Sequence, residues 1–279
     1  MKIVTLLDDC GSEHKGLIAK HGLSFYIELG EKKILFDFGP DETALYNAKR
    51  LGVPLEQIDF AVVSHGHYDH AGGFLEFQAY LPRAHFVAGN GYLNEKYAVE
   101  GCKATYLGVG FDESWLSSHK VSYSFCGQEI KLADHLSVVG HFEKAYDFET
   151  IPERFKVLRE GRLQHDDFSD EICLVFELPA GLFVVAGCSH PGILNMLSTV
   201  HKRFGKRILG VVGGNHLIEA DEARIRKTLE ILHGFGIKYL GFNHCSGTLF
   251  EKVVASDPEI EAFHLRTGDC LLFDHEVDE

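Results

Sequence analysis

The run Ser64-His65-Gly66-His67-Tyr68-Asp69-His70 constrains this chain more than any other feature, because it places three imidazoles and a carboxylate within six residues. The apolar stretch 58–63 just before it has the composition of a buried strand. His65 and His67 stand at i, i+2, so in an extended chain both rings project from the same side. Gly66 between them lets the backbone turn without steric penalty, and Gly72-Gly73 allow a helix to begin close by. Neutral imidazole is a common metal ligand. Two imidazoles, a carboxylate and a third imidazole in this spacing offer donors to two adjacent divalent ions.

Composition agrees with a metal enzyme and excludes other classes. The chain holds 17 histidines in 279 residues, well above ordinary usage. Its formal charge of −14 argues against general nucleic-acid binding, which needs a basic stripe over phosphates. A small anionic substrate stays compatible, since bound cations supply local positive charge. No apolar run is long enough to span a membrane. The opening residues meet Asp8 and Asp9 too early for a signal-peptide core and read as a first strand, so the expected location is cytoplasmic. None of the seven cysteines forms a C-x-x-C pair, and most are expected to be reduced, buried thiols.

No linker, repeat or low-complexity tract divides the chain, and a single domain over 1–279 is expected. Stretches 24–29 and 33–38 read as a hairpin across Gly30-Glu31-Lys32. A short helix from Asp41 ends at Gly52. A second strand pair, 172–178 and 182–186, is joined by Pro179-Ala180-Gly181. Helices over 193–204 and 221–235 then alternate with strands over 207–212 and 237–242. Strand pairs beside α-β alternation in each half imply an α/β (α+β) αββα sandwich, two mixed sheets face to face with helices outside. The segment 89–161 carries no clear pattern and is expected to supply loops over the site. Asp166, Asp167 and Asp170 read as a solvated acidic turn.

The spacing H-x-H-x-D-H resembles the hallmark of the metallo-β-lactamase superfamily, matched by His65, His67, Asp69 and His70. Leu35-Phe36-Asp37-Phe38-Gly39 is similar to its earlier Asp motif, in which Asp37 would brace the metal loop by hydrogen bonds. His21-Gly22-Leu23-Ser24, Gly187-Cys188-Ser189-His190-Pro191-Gly192, Gly213-Gly214-Asn215-His216 and His244-Cys245-Ser246-Gly247 follow in the order of one branch. That branch is named for 7,8-dihydropterin-6-methyl-4-(β-D-ribofuranosyl)-aminobenzene-5′-phosphate synthase, and the likeness covers most of the chain. It implies one or two divalent ions, zinc by default, with iron, manganese or nickel as alternatives. It assigns His65, His67 and His190 to the first ion and Asp69, His70 and His244 to the second.

Two positions leave alternatives open. Cys188 stands where many superfamily hydrolases carry a bridging Asp; a buried structural thiol is the simpler reading, a thiolate ligand the other. His141, after Val138-Val139-Gly140, competes with His190 as third ligand of the first ion. His216 also ends a strand and suits substrate contact or proton transfer to a leaving group. Cys245 reads as structural, and Asp8, Asp9 and His21 as residues that line the cleft. The leading expectation is a metal-dependent hydrolase. Asp69 and His216 would be its catalytic residues, and a phosphoester or a carboxylic ester or lactone its small-molecule substrate. The branch name implies instead a transferase joining a pterin diphosphate to an aminobenzene ribosyl phosphate. A flavodiiron-type oxidoreductase would need a flavodoxin domain, which is missing, and a non-catalytic metal-binding protein is the remaining reading.

Overall fold

The computed structural model describes residues 1–273, and the two-residue alternation of buried strand side chains between separate cores explains its layers. In Leu136–Gly140 and Ile172–Leu178, Val138, Leu174 and Phe176 point to one face while Val139, Cys173 and Val175 point to the other. Lys32–Phe36 behaves likewise, with Ile34 and Phe36 inward and Leu35 outward. Both faces of each sheet are therefore apolar, and each sheet needs cover on both sides.

The first sheet runs in the order Cys270–Leu272, Lys2–Leu7, Ser24–Leu29, Lys32–Phe36, Phe60–Val62, His85–Gly89, Tyr123–Cys126. The second runs Glu261–His264, Tyr239–Phe242, Ile208–Gly213, Gly181–Val185, Ile172–Leu178, Leu136–Gly140, Glu129–Ala133. Each sheet is mixed. Lys32–Phe36 to Tyr123–Cys126 pair in parallel in the first, and Gly181–Val185 to Glu261–His264 in the second.

The sheets pack over a shared core that includes Ile3, Phe25, Phe36, Val62, Leu174, Phe183 and Val212. Thr43–Arg50 and Glu113–Ser118 cover the outer face of the first sheet through Ala44, Leu45, Ala48 and Leu116. Ile193–Phe204, Glu222–Gly234 and Thr248–Val254 cover the second. Their ends follow local rules. Asp221 caps Glu222–Gly234 by accepting from the Arg224 amide at 2.8 Å, and Gly205 closes Ile193–Phe204 in the left-handed region. This is the expected αββα sandwich.

The middle segment departs from expectation. Lys96–Glu100, Lys103–Tyr106, Phe155–Arg159 and Arg162–His165 form a third, four-stranded antiparallel sheet. Asp166 and Asp170 are not a solvated turn: both are buried and clamp the buried ammonium of Lys96 at 2.6 and 2.8 Å. Only Asp167 meets solvent, paired with Arg159 at 2.7 Å. The reading as a solvated turn fails because the cation that neutralises the pair lies seventy residues away. No helix among the described residues is long and apolar enough to cross a membrane.

Candidate metal centre

Six strands deliver the site from their C-terminal ends, the edge of a parallel array where side chains can reach a cleft. Asp9 follows Lys2–Leu7, Asp37 follows Lys32–Phe36, and His65 to His70 follow Phe60–Val62. From the second sheet, Cys188 and His190 follow Gly181–Val185, His216 follows Ile208–Gly213, and His244 follows Tyr239–Phe242. Asp37, Ser189, His216 and His244 all adopt positive φ, between 47° and 63°. Four such residues in one cleft are strained backbone held where the surrounding fold needs it.

Asp37 organises the first loop. Its Oδ1 accepts from the Ser64 amide at 2.6 Å, and its Oδ2 accepts from Ser64 Oγ at 2.9 Å and from His70 Nδ1 at 2.6 Å. Ser64 has one hydroxyl proton and gives it to Asp37. At the 2.9 Å contact between Ser64 Oγ and His65 Nδ1, the imidazole must therefore donate. Both His65 and His70 thus carry their proton on Nδ1 and present a bare Nε2 to the cleft, as metal-ligating histidines do.

His65, His67 and His190 bring one nitrogen each within 4.8 Å of one another. His65 Nε2, His67 Nε2 and both nitrogens of His190 are buried without a hydrogen-bond partner. Leaving such buried atoms unpaired costs about 1–3 kcal/mol each, and a divalent ion would satisfy three of them at once. Burial also pushes these imidazoles well below their ordinary pKa, so they are neutral and able to ligate. The His190 loop is set by Glu171, whose carboxyl accepts from the Ser189 and His190 amides at 2.5 and 2.9 Å. Phe168 stacks on the His190 ring at 3.8 Å. Gly66 donates to Asp170 at 2.8 Å, which ties the loop to the Lys96 clamp. His141, the alternative ligand, is exposed, and its carbonyl is held by Arg203.

Donors of the second group lie beside the first. Asp69 Oδ2 stands 3.9 Å from His70 Nε2, 3.2 Å from His244 Nε2 and 3.3 Å from His21 Nε2. Burial pushes the Asp69 carboxyl up, but hydrogen bonds from His21 and His244 outweigh it and hold it well below the usual range. Burial likewise opposes charge on His244, yet its bonds to Asp69 and Asp9 raise it well above ordinary. Cys188 Sγ lies 3.1 Å from His70 Nε2, and it shares metal-compatible groupings with His65 and His70 and with His244 and Cys245. Both thiols therefore face the cleft. His216 reaches it too, its ring 4.3 Å from that of His190 and beside the Cys245 thiol.

Sequence reasoning missed Asp170, Glu171, Lys96 and Phe168, which carry no motif. Asp8 is buried and accepts from the His244 amide at 2.8 Å.

Residues 18–172, more than half of the chain, match the family profile of the metallo-β-lactamase superfamily. The chain belongs to this superfamily. It is 30% identical to the 7,8-dihydropterin-6-methyl-4-(β-D-ribofuranosyl)-aminobenzene-5′-phosphate synthase of Methanocaldococcus jannaschii, over 98% of this chain and 97% of that one. An uncharacterized protein of the same organism is 28% identical over 84% of this chain and 87% of its own. Among solved structures, Tm1679, described as a metal-dependent hydrolase of the β-lactamase superfamily, superposes with a TM-score of 0.84. It is 28% identical and is covered over 100% of its length, against 99% of this chain. Zinc-bound PqqB from Methylobacterium extorquens shares the fold at a TM-score of 0.58 and 14% identity, covering 98% of this chain and 100% of that one. The superfamily fold and these donor groups together make the cleft a candidate site for divalent ions.

Proposed function

We propose that the protein is a binuclear metal-dependent hydrolase, with zinc as the resident ion and a small, anionic phosphoester or a carboxylic ester or lactone as substrate. The observation that carries this reading is the set of buried nitrogens without a protein partner on His65, His67 and His190, a cradle that a divalent ion would satisfy. His65, His67 and His190 would hold the first ion, and Asp69, His70 and His244 the second. Bound divalent ions supply Lewis acidity and make water a competent nucleophile near neutral pH.

The chain's own residues do the rest. Asp69, held by the imidazoles of His21 and His244, would orient the attacking water. His216 faces the same space beside the Cys245 thiol and is placed to hold the substrate or pass a proton to the leaving group. The apolar wall of Phe155 and Phe168, whose rings lie 5.5 and 5.1 Å from that of His67, keeps bulk water from this side.

The test is metal analysis of protein purified without chelators, combined with a panel of phosphodiesters, phosphomonoesters, lactones and thioesters. Bound metal with activity lost in His67→Ala supports the reading. A metal-free protein whose His67→Ala variant stays active rejects it. The 30% identity to the Methanocaldococcus jannaschii synthase favours a second reading, transfer between a pterin diphosphate and an aminobenzene ribosyl phosphate. Formation of the joined product from those two substrates, without hydrolysis of the panel, would select it.

A further inference from the structure

The motif His21-Gly22-Leu23-Ser24 has no role in the ligand set above, yet it is built against the metal loop. Ser24 Oγ donates to the Asp37 carbonyl at 2.8 Å, and the Leu23 amide donates to the Asp69 carbonyl at 3.2 Å. Gly22 has a φ of +137°, and a Cβ there would stand 2.4 Å from the Asp69 carbonyl oxygen. Only glycine fits this corner, and the close approach brings His21 over Asp69.

The neighbouring carboxylate aims the ring. Asp9 accepts from His244 Nδ1 through Oδ1 at 2.6 Å and holds His21 Nδ1 at Oδ2 at 3.1 Å. One carboxylate thus binds the Nδ1 atoms of two imidazoles whose rings lie 4.6 Å apart. Both Nε2 atoms then converge on one oxygen, Asp69 Oδ2, at 3.3 and 3.2 Å. A carboxylate behind Nδ1 with Nε2 facing forward is how proteins orient histidine toward a metal. The separations have a second meaning. Donors bonded to one tetrahedral ion at 2.0–2.1 Å lie about 3.3 Å from each other.

We propose that His21 is a ligand of the second ion, joining Asp69, His244 and His70, with Asp9 orienting His21 and His244 as a matched pair. On this assignment the Nε2 atoms of His21 and His244 would give up their direct contacts with Asp69 Oδ2 and face the ion. Because the His21 side chain is 59% exposed whereas that of His244 is 2% exposed, His21 is the ligand nearest solvent and sets how readily the second ion enters and leaves. This assignment rests on the metal-enzyme reading above, and the experiment separates the two.

Metal-free protein is titrated with cobalt(II), and the visible ligand-field spectrum, the bound stoichiometry and the affinity against a competing chelator are read for wild type, His21→Ala and His21→Gln. The expected result is that both variants weaken the second ion at least about tenfold and change its spectrum while the first ion binds as in wild type. His21 is largely exposed, and equal melting temperatures of the metal-free proteins check that the fold is intact. If one variant melts early, the other decides. Wild-type affinity, stoichiometry and spectrum in a folded His21 variant overturn the assignment and leave the metal-enzyme reading standing. Failure of wild type to bind any ion overturns both.

Discussion

Replacing Asp37 separates its two jobs, holding the loop and choosing a tautomer. In Asp37→Ala the Ser64 amide and the Ser64 hydroxyl proton lose their acceptor in a fully buried place, while His70 Nδ1 keeps only its longer 3.4 Å contact with Ser64 Oγ. Two stranded donors at about 1–3 kcal/mol each give a loss of about 2–6 kcal/mol, a large share of the roughly 5–15 kcal/mol that keeps a domain folded. Asp37→Asn keeps the shape. The Ser64 amide can only donate, so the Asn oxygen must face it and the amide NH2 must face His70 Nδ1. His70 is then forced to accept at Nδ1 and to carry its proton on Nε2, the nitrogen that faces Cys188. A protonated Nε2 cannot ligate.

The expected outcome is an Asn variant within about 1–1.5 kcal/mol of wild type in urea unfolding of metal-free protein, with affinity for one ion reduced about 10–100-fold. The Ala variant should be far less stable. Urea melts followed by circular dichroism and metal content after chelator competition measure the two effects separately. An Asn variant that binds both ions as tightly as wild type would refute the tautomer argument. An Ala variant within 1 kcal/mol of wild type would refute the account of the loop.

Lys96→Ala leaves the buried carboxylates of Asp166 and Asp170 uncompensated and should cost about 3–5 kcal/mol in chemical denaturation; a smaller loss with no structural change would contradict the clamp. Gly22→Ala places a Cβ 2.4 Å from the Asp69 carbonyl at a φ of +137°. It should cost about 1–3 kcal/mol and weaken metal binding, both read in a thermal melt with and without zinc. Partial burial pushes the Asp167 carboxyl up, but the Arg159 guanidinium outweighs it and holds it at about 2, below the 3.8 of an unperturbed Asp. The resulting stability is present above pH 3.8 and is lost as pH falls toward 2. Arg159→Ala should therefore fall below wild type at neutral pH, by less than about 1 kcal/mol because the pair is solvated, and the gap should close as pH falls through about 2. A gap that persists in acid would show another cause. Zinc at a hundred times its dissociation constant should stabilise the fold by about 2.7 kcal/mol, and a melting temperature unmoved by zinc would count against any preformed site.

What could be read from the sequence was whatever a local pattern carries. The helix Ile193–Phe204 and the strand Ile172–Leu178 fall where periodicity and bounding turns place them. Edges shifted where the turn itself is part of the site: the strand expected to reach residue 38 stops at Phe36, because Asp37 leaves the sheet at positive φ to serve Ser64 and His70. The histidine run was legible because its donors are consecutive. The clamp on the same run was not, since Gly66 meets Asp170 across 104 residues and Lys96 meets it across 74. A charge run is ordinarily solvated, and nothing local distinguishes one whose counter-ion is elsewhere in the chain.

His21 and Asp9 fall between these cases, and they show why a ligand set borrowed from a motif stays incomplete. Their residues are visible in sequence, but the property that matters is a convergence of four side chains from three strand ends and the loop before Ser24–Leu29. It depends on a glycine at 22 thin enough to let two backbones nearly touch. The same reasoning bears on His190. Its strand end also carries Cys188, so a single loop of the second sheet faces both donor groups, and His141 is left outside. Two donor groups that share one loop should not change their metal affinity independently when that loop is disturbed. Glu171→Gln tests this, because it leaves the loop amides of Ser189 and His190 with one fixed acceptor in place of two. Both ions should weaken together, read as paired losses in a chelator titration, whereas His21→Ala should weaken only one. Loss of a single ion in Glu171→Gln would mean that Cys188 takes no part in the second group.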